Sequence, residues 1–265
     1  MMLGARMAAW AKSGSHTPAY GGLCFTAEAD NSSVQLTAVD TPPAVTLVKS
    51  FDGVNWEAYA VGEVIDLPST GDFVYLAAGE GGNETFGSST KVYHKFVING
   101  LVAASGDITS LRRFDLEQTP LAKYCYRSMF NGCTGLTSAP ELPATTIAPN
   151  CYYSMFSGCT GLTSAPELPA TTLANYCYTR MFQGCTGLTS APELPATTLV
   201  KYCYNYMFMG CTNIALIKVH FKSWGQSNNW VRGVAATGTF YKTTALPEVF
   251  GTSKIPTGWT VVNID

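Results

Sequence analysis

Two hydrophobic rhythms divide the chain. In residues 21–108 the apolar residues come in short runs, at 23–27, 34–38, 44–49, 56–59, 64–67, 73–77, 93–98 and 101–105. Several of these alternate with polar neighbours, and Gly, Asp, Asn or Pro separates them, so each reads as a β-strand ended by a turn. Eight short strands at this spacing predict an all-β sandwich, immunoglobulin-like, over residues 21–110. The Cys…Trp…Cys spacing of a true immunoglobulin domain is absent, because this half holds a single cysteine, Cys24.

From residue 111 the rhythm changes to a period of 26 residues. The phrase Cys-Thr-Gly-Leu-Thr-Ser-Ala-Pro-Glu-Leu-Pro-Ala-Thr-Thr starts at Cys133, Cys159 and Cys185, and a degenerate start follows at Cys211. A second cysteine column (Cys125, Cys151, Cys177, Cys203) and a Met-Phe pair (129–130, 155–156, 181–182, 207–208) keep the same step. A fixed period of this size signals stacked coils, since one coil cannot bury its own Leu, Met and Phe. Cys177, Met181 and Cys185 step by four, which puts them on one helical face, and Gly184 is a helix stop, so a short helix is predicted in each coil. Pro192 and Pro195 make the following segment an extended return, unable to act as a central strand. The expected class is therefore α+β: the β-sandwich, then a solenoid of four coils over residues 111–222. The solenoid would end in a strand at 215–221, and a C-terminal cap over 223–265 would contain a helix at 223–234 and strands at 239–241 and 259–262.

The phrase Met-Phe-x-Gly-Cys-Thr-Gly-Leu-Thr-Ser, at 129–138, 155–164 and 181–190, resembles the leucine-rich repeats of the BspA-like surface protein family. The resemblance runs from Arg113 to the C-terminus, where Gly238-Thr239-Phe240 and Ile255-Pro256-Thr257-Gly258-Trp259 are similar to the family's C-terminal cap. It implies adhesion and binding, with no catalytic residue to carry over. Residues 2–14 resemble a short leader of phage and prophage structural proteins, which makes residues 1–20 an N-terminal arm. Ser50-Phe51-Asp52-Gly53-Val54-Asn55-Trp56 resembles the Asp-box of sialidase-like propellers, one residue shorter between Asp and Trp. Its local physics is a tight hairpin turn with a tryptophan packed across it.

Charge narrows the function. Sixteen Lys and Arg stand against 18 Asp and Glu, for a net charge of −2. That lacks the basic footprint of a nucleic-acid binder, and no basic block seeks anionic lipid. Charged residues make up only 13% of the chain, so Thr, Ser, Asn, Gly and Tyr must supply much of the surface. With 46% hydrophobic residues the chain is not disordered. No apolar run approaches the roughly 18 residues of a membrane span. Residues 7–11 form too short an apolar core for a secretory signal, which tilts the expected location toward a virion, with the bacterial cell surface as the alternative.

No catalytic motif stands out. His16, His94 and His220 are far apart, and neither a Gly-x-Ser-x-Gly nor a phosphate loop is present. The repeat cysteines are spaced Cys-x7-Cys, unlike zinc sites, and read as buried thiol ladders. Neither metal nor cofactor is expected. The four copies also differ internally, at Arg127, Tyr153, Thr179 and Asn205 and at Ser128, Ser154, Arg180 and Tyr206. The candidate binding face comprises Arg127, Tyr153, Arg180 and Tyr206 beside a constant column of Tyr126, Tyr152, Tyr178 and Tyr204, since Tyr and Arg dominate binding hot spots. The expected function is non-enzymatic recognition of a host-surface glycan or protein. Other virion proteins would join through the N-terminal arm, and homo-oligomerisation stays open. A secreted adhesin and a purely structural decoration protein are the alternatives.

Overall fold

The computed structural model describes residues 21–89, 91–225 and 227–265. The N-terminal arm expected over residues 1–20 lies outside the described residues. The protein is built mostly of strands in several open sheets, and none of the sheets closes.

The first half forms every strand expected of it. They are β1 (Cys24–Ala27), β2 (Ser32–Val39), β3 (Leu47–Ser50), β4 (Glu57–Tyr59), β5 (Val64–Leu67), β6 (Phe73–Ala78), β7 (Tyr93–Asn99) and β8 (Val102–Ser105). One sheet runs β4-β3-β6-β1-β8 with antiparallel neighbours, and another runs β5-β2-β7. Alternation along β7 buries His94, Phe96 and Ile98 and leaves Tyr93, Lys95 and Val97 partly exposed. Phe25 of the first sheet meets Phe96 of the second edge-on, 4.9 Å between centroids. The outer face of the first sheet buries Cys24, Tyr75 and Ala77 beneath Trp56 and Phe114.

The Asp-box-like loop joins β3 to β4. The Asp52 carboxylate accepts from the backbone N–H of Val54 and Asn55 at 2.8 and 2.7 Å, and Ser50 Oγ accepts from Gly53 N–H at 2.9 Å. Those donors hold the Asp52 pKa down to about 2. Trp56 packs on Phe114 and Tyr75, at 5.0 and 6.4 Å, so the motif serves as a packed hairpin.

The second half corrects the expected class. Among the described residues the helical content is one 3₁₀ turn, Ile108–Leu111, so α+β does not hold. The segment read as a short helix in each coil is a run of overlapping turns. In the first coil Arg127 N–H reaches back to Tyr124 O, Met129 N–H to Tyr126 O and Cys133 N–H to Phe130 O. The intervening N–H groups leave the coil. Tyr126, Ser128, Phe130 and Gly132 donate to Cys151, Tyr153, Met155 and Ser157 O of the next coil, at 2.8–2.9 Å. The same ladder repeats from Tyr152 to Gly158 and from Tyr178 to Gly184. A helix would spend all these donors internally. Here alternate donors link the coils, and the backbone turns by placing every fourth residue at positive φ: Tyr124, Ser128 and Gly132, then Asn150, Ser154 and Gly158.

Three side-chain columns run through the linked coils. Phe130, Phe156, Phe182 and Phe208 stack at 5.4–5.8 Å, and Tyr126, Tyr152, Tyr178 and Tyr204 at 5.8–6.0 Å. Each stacked pair adds about 0.5–1.5 kcal/mol beyond its burial. Cys159, Cys185 and Cys211 each direct the thiol at the Phe carbonyl of the preceding coil, at 2.8–3.0 Å. All nine cysteines are buried and unbridged.

The stack begins on the first half. The short strand β9 (Leu136–Ser138) pairs in parallel with β8, extending the first sheet. Phe96 N–H donates to Met129 O, Cys133 Sγ donates to Phe96 O, and Phe96 stacks on Phe130 at 5.1 Å. Phe86 in turn stacks on Tyr126 at 6.2 Å. Strand β7 and the loop before it thus occupy the place of a preceding coil, and one hydrophobic core runs from Leu23 to Trp259.

At the other end the coils shorten. Strands β10 (Leu216–Lys218), β11 (Thr239–Lys242) and β12 (Thr260–Asn263) form a parallel sheet, pairing Leu216 with Thr239 and Thr239 with Thr260. The helix expected at 223–234 is absent. Its described residues continue the turn run, with Asn229 and Gly233 at positive φ and Asn228, Trp230 and Arg232 carbonyls accepting from Tyr206, Phe208 and Gly210. Buried Trp230 ends the aromatic columns.

Candidate functional site

The structure separates the eight candidate residues into two sets. Tyr126, Tyr152, Tyr178 and Tyr204 are each 1% exposed. They form a core column, and their removal from the candidate face is a correction. The strict four-residue step places them beside the phenylalanines, facing inward, and burial pushes their hydroxyl pKa values well above 10.0.

The other four form two separate pairs, each spanning adjacent coils; Tyr153, Arg180 and Tyr206 reach solvent, while Arg127 is buried, which corrects its place on an exposed face. The Arg127 guanidinium lies between two rings, 4.2 Å from Tyr153 in the next coil and 5.6 Å from Tyr93 on β7. It is largely buried, and desolvation lowers its pKa while the two tyrosines oppose that shift. Arg180 is exposed and lies 5.2 Å from the Tyr206 ring, again one coil on. Two lysines repeat the arrangement within their own coils: Lys123 lies 4.9 Å from Tyr124, and Lys201 lies 5.6 Å from Tyr202. Tyr202 also meets Tyr176 at 5.2 Å.

Sequence reasoning missed Tyr93, Lys123, Tyr124, Tyr176, Lys201 and Tyr202. Position 123 is Lys only in the first and fourth coils, and Tyr93 joins solely because β7 stands in for a coil. One available signal was charge segregation. Residues 21–105 carry ten carboxylates and three lysines, whereas residues 106–265 carry eight carboxylates and eleven Lys or Arg. Within the coils the carboxylates Glu141, Glu167 and Glu193 all lie in the proline-rich return, away from the turn runs. Glu193 pairs there with Lys218 and His220, which lowers its pKa. Proline rings and these glutamates line two shallow clefts of 300 and 310 Å³.

A further cleft, of 450 Å³, lies beside the junction of the two halves and is lined by Gly79, Gly82, Asn83, Arg112, Arg113 and Phe114. Its buried cation is occupied: Arg112 donates to the carbonyls of Glu84, Thr119 and Pro120 at 3.1–3.3 Å. Asn83 is occupied too, clamping Thr46 to Leu111 through both ends of its amide. Among the described residues no group of three or more His, Cys, Asp or Glu is arranged to hold a metal ion. Nor is any helix there long and apolar enough to cross a membrane.

Neither a family model, nor a curated protein, nor a solved structure matches the chain. The class that fold and site define is thus a β-rich protein of several open sheets, carrying a surface of tyrosines and cations.

Proposed function

We propose that the chain is a non-enzymatic recognition protein whose coils form a leucine-rich-repeat solenoid of the BspA-like kind, capped by residues 223–265 and mounted on an immunoglobulin-like sandwich. Its turn-run face binds a host-surface glycan or protein. The observation that carries this reading is the Arg127–Tyr153 and Arg180–Tyr206 pairing, with ring distances of 4.2 and 5.2 Å. Cation–π contacts preorganise both partners, and preorganised Arg and Tyr side chains are what binding hot spots use. Burial raises the pKa of every cysteine, so the repeat thiols stay protonated at neutral pH and serve this reading as core filler. Unbridged cysteines also suit a chain folded in a reducing cytoplasm and released within a virion.

The test compares host-cell binding by Tyr153→Ala with Arg180→Asn against Glu141→Ala with Glu167→Ala. Arg180 sits at φ +57°, and Asn tolerates that conformation better than Ala. The first pair should lose at least thirtyfold in affinity, from about 2 kcal/mol for a hot-spot residue, and the second almost nothing. Equal binding by both would reject this face. The burial of the Tyr126–Tyr204 column favours one second reading, a decoration protein without a ligand, which would stand if the wild-type chain bound no host cells.

A further inference from the structure

We infer that the outer face of the first sheet is the docking surface for the chain's own residues 1–20, which seat a cation in the cleft at its far end. That cleft, of 340 Å³, lies between the Asp-box-like loop and the turn from β5 to β6, and Phe51, Asp66, Pro68, Asp72 and Phe73 line it. Phe51 is 48% exposed and Phe73 37%, so two phenyl rings of one cleft face solvent. Asp66 is exposed and forms no salt bridge among the described residues, and no Lys, Arg or His is in the lining. Lys49 approaches the Phe51 ring at 5.8 Å but pairs with Glu57 and Glu63. Rings beside uncompensated carboxylates take a cation carried on an apolar stem.

Charge and chain length name the occupant. Residues 1–20 contain Arg6 and Lys12 beside Met2, Leu3, Met7 and Trp10, and not one Asp or Glu. Residues 21–105 carry ten carboxylates against three lysines, so the two pieces are complementary in sign. The chain also enters on the right side of the sheet. A Cβ at Gly21 would lie 3.7 Å from Leu116, which packs with Trp56 and Phe114 over Cys24, Tyr75 and Ala77 of the outer face. From there β1 leads to Thr26, whose register partner on β6 is Phe73. Residues 21 to 26, at about 3.3 Å each, make that path roughly 17 Å. Residues 12–20 span roughly 30 Å when extended, so Lys12 reaches the cleft with slack.

The covalent tether favours this occupant over a second copy of the chain, because attachment gives the segment an effective concentration of about millimolar. The exposed cations that a second copy would bring from its turn runs, Lys123, Arg180 and Lys201, already lie on tyrosine rings, at 4.9–5.6 Å. Residues 1–20 thus act as a latch on the first half and leave the turn-run face open to its ligand.

Two measurements on the full chain test this. A carbodiimide couples an amine to a carboxylate in contact with it, and mass spectrometry of the monomer identifies the pair. Lys12 should couple to Asp66 or Asp72 in preference to every other carboxylate. Chymotrypsin cleavage after Trp10 supplies a rate, taken relative to a free peptide of residues 1–20 with the same substitution. Cleavage of the wild-type chain should be at least tenfold slower than that of the peptide. Asp66→Lys and Lys12→Glu should each remove most of that protection, and the two together should restore it. Circular dichroism verifies the fold of Asp66→Lys, and Lys12→Glu lies outside the described residues, so its result stands by itself. Coupling of Lys12 spread over many carboxylates, cleavage as fast as in the free peptide, or a charge swap that restores nothing would overturn the inference. Coupling found only in dimers would overturn it in favour of a second copy.

Discussion

The thiol ladders make the fold sensitive to alkali. Cys125, Cys151, Cys159, Cys177, Cys185, Cys203 and Cys211 are 0% exposed and Cys133 is 3% exposed. Burial raises all eight from the ordinary value of 9.0; Cys203 reaches about 11, and Cys125, Cys133 and Cys211 reach about 12. The folded chain therefore keeps protons that the unfolded chain releases. Stability is fully present well below pH 9.0 and is lost as pH rises through that value toward the folded pKa values. At pH 10, one unit above the unfolded thiol pKa, each site withdraws about 1.4 kcal/mol, and eight together withdraw about 11 kcal/mol. That equals the whole stability of a typical domain, about 5–15 kcal/mol. Urea midpoints followed by tryptophan fluorescence, with a phosphine reductant present, should fall steeply between pH 8 and 10. A double variant Cys125→Ala with Cys151→Ala should be weaker at pH 7 yet lose about a quarter of the pH slope. A midpoint flat to pH 10, or thiolate absorbance developing near pH 9 while the chain stays folded, would refute the argument.

Other predictions follow from backbone and burial. A Cβ added at Gly161 would lie 2.5 Å from Thr134 O, and one at Gly158 would meet nothing closer than 3.6 Å although φ is +78°. Gly158→Ala should cost about 1 kcal/mol for the left-handed conformation, and Gly161→Ala more, about 2–3 kcal/mol for forcing two coils apart; thermal unfolding ranks them. His94 is buried against the Phe86 carbonyl, and burial lowers its pKa below 6.5. The unfolded chain takes up that proton first, so stability should fall as pH drops below 6.5. His94→Gln should flatten the decline between roughly pH 6.5 and 5, above the carboxylate range.

The sequence by itself determined the strands of the first half and the repeat of the second. Alternation and turn residues located all eight strands within a few positions, because a half-buried strand leaves a period of two in its own residues. The 26-residue step marked the coils, and the cysteine, Met and Phe columns were legible as core because a repeat must bury the same positions each time. The step of four was legible but ambiguous. Cys177, Met181 and Cys185 fit a helix of 3.6 residues per turn and equally a ribbon of four-residue turns. The distinguishing mark was its strictness: Tyr178 and Phe182 keep the same step, and Gly ends the four-residue series Tyr176, Arg180, Gly184 of positive-φ positions.

Only the tertiary structure decided between those readings. Whether an N–H turns back within its coil or reaches across to the next depends on a neighbour 25 residues away, and no local pattern records that. The choice also fixed the surface. With alternate donors directed along the stack, Tyr126 and its column turned inward, while Arg127 and Tyr153, differing between copies, met across two coils. The last partner came from outside the repeat. Tyr93 faces Arg127 because β7 takes the place of a coil, its Phe96 continuing the phenylalanine column. Two segments with unlike sequence periods share one core because each offers an open backbone edge and an aromatic ring at the height the other requires.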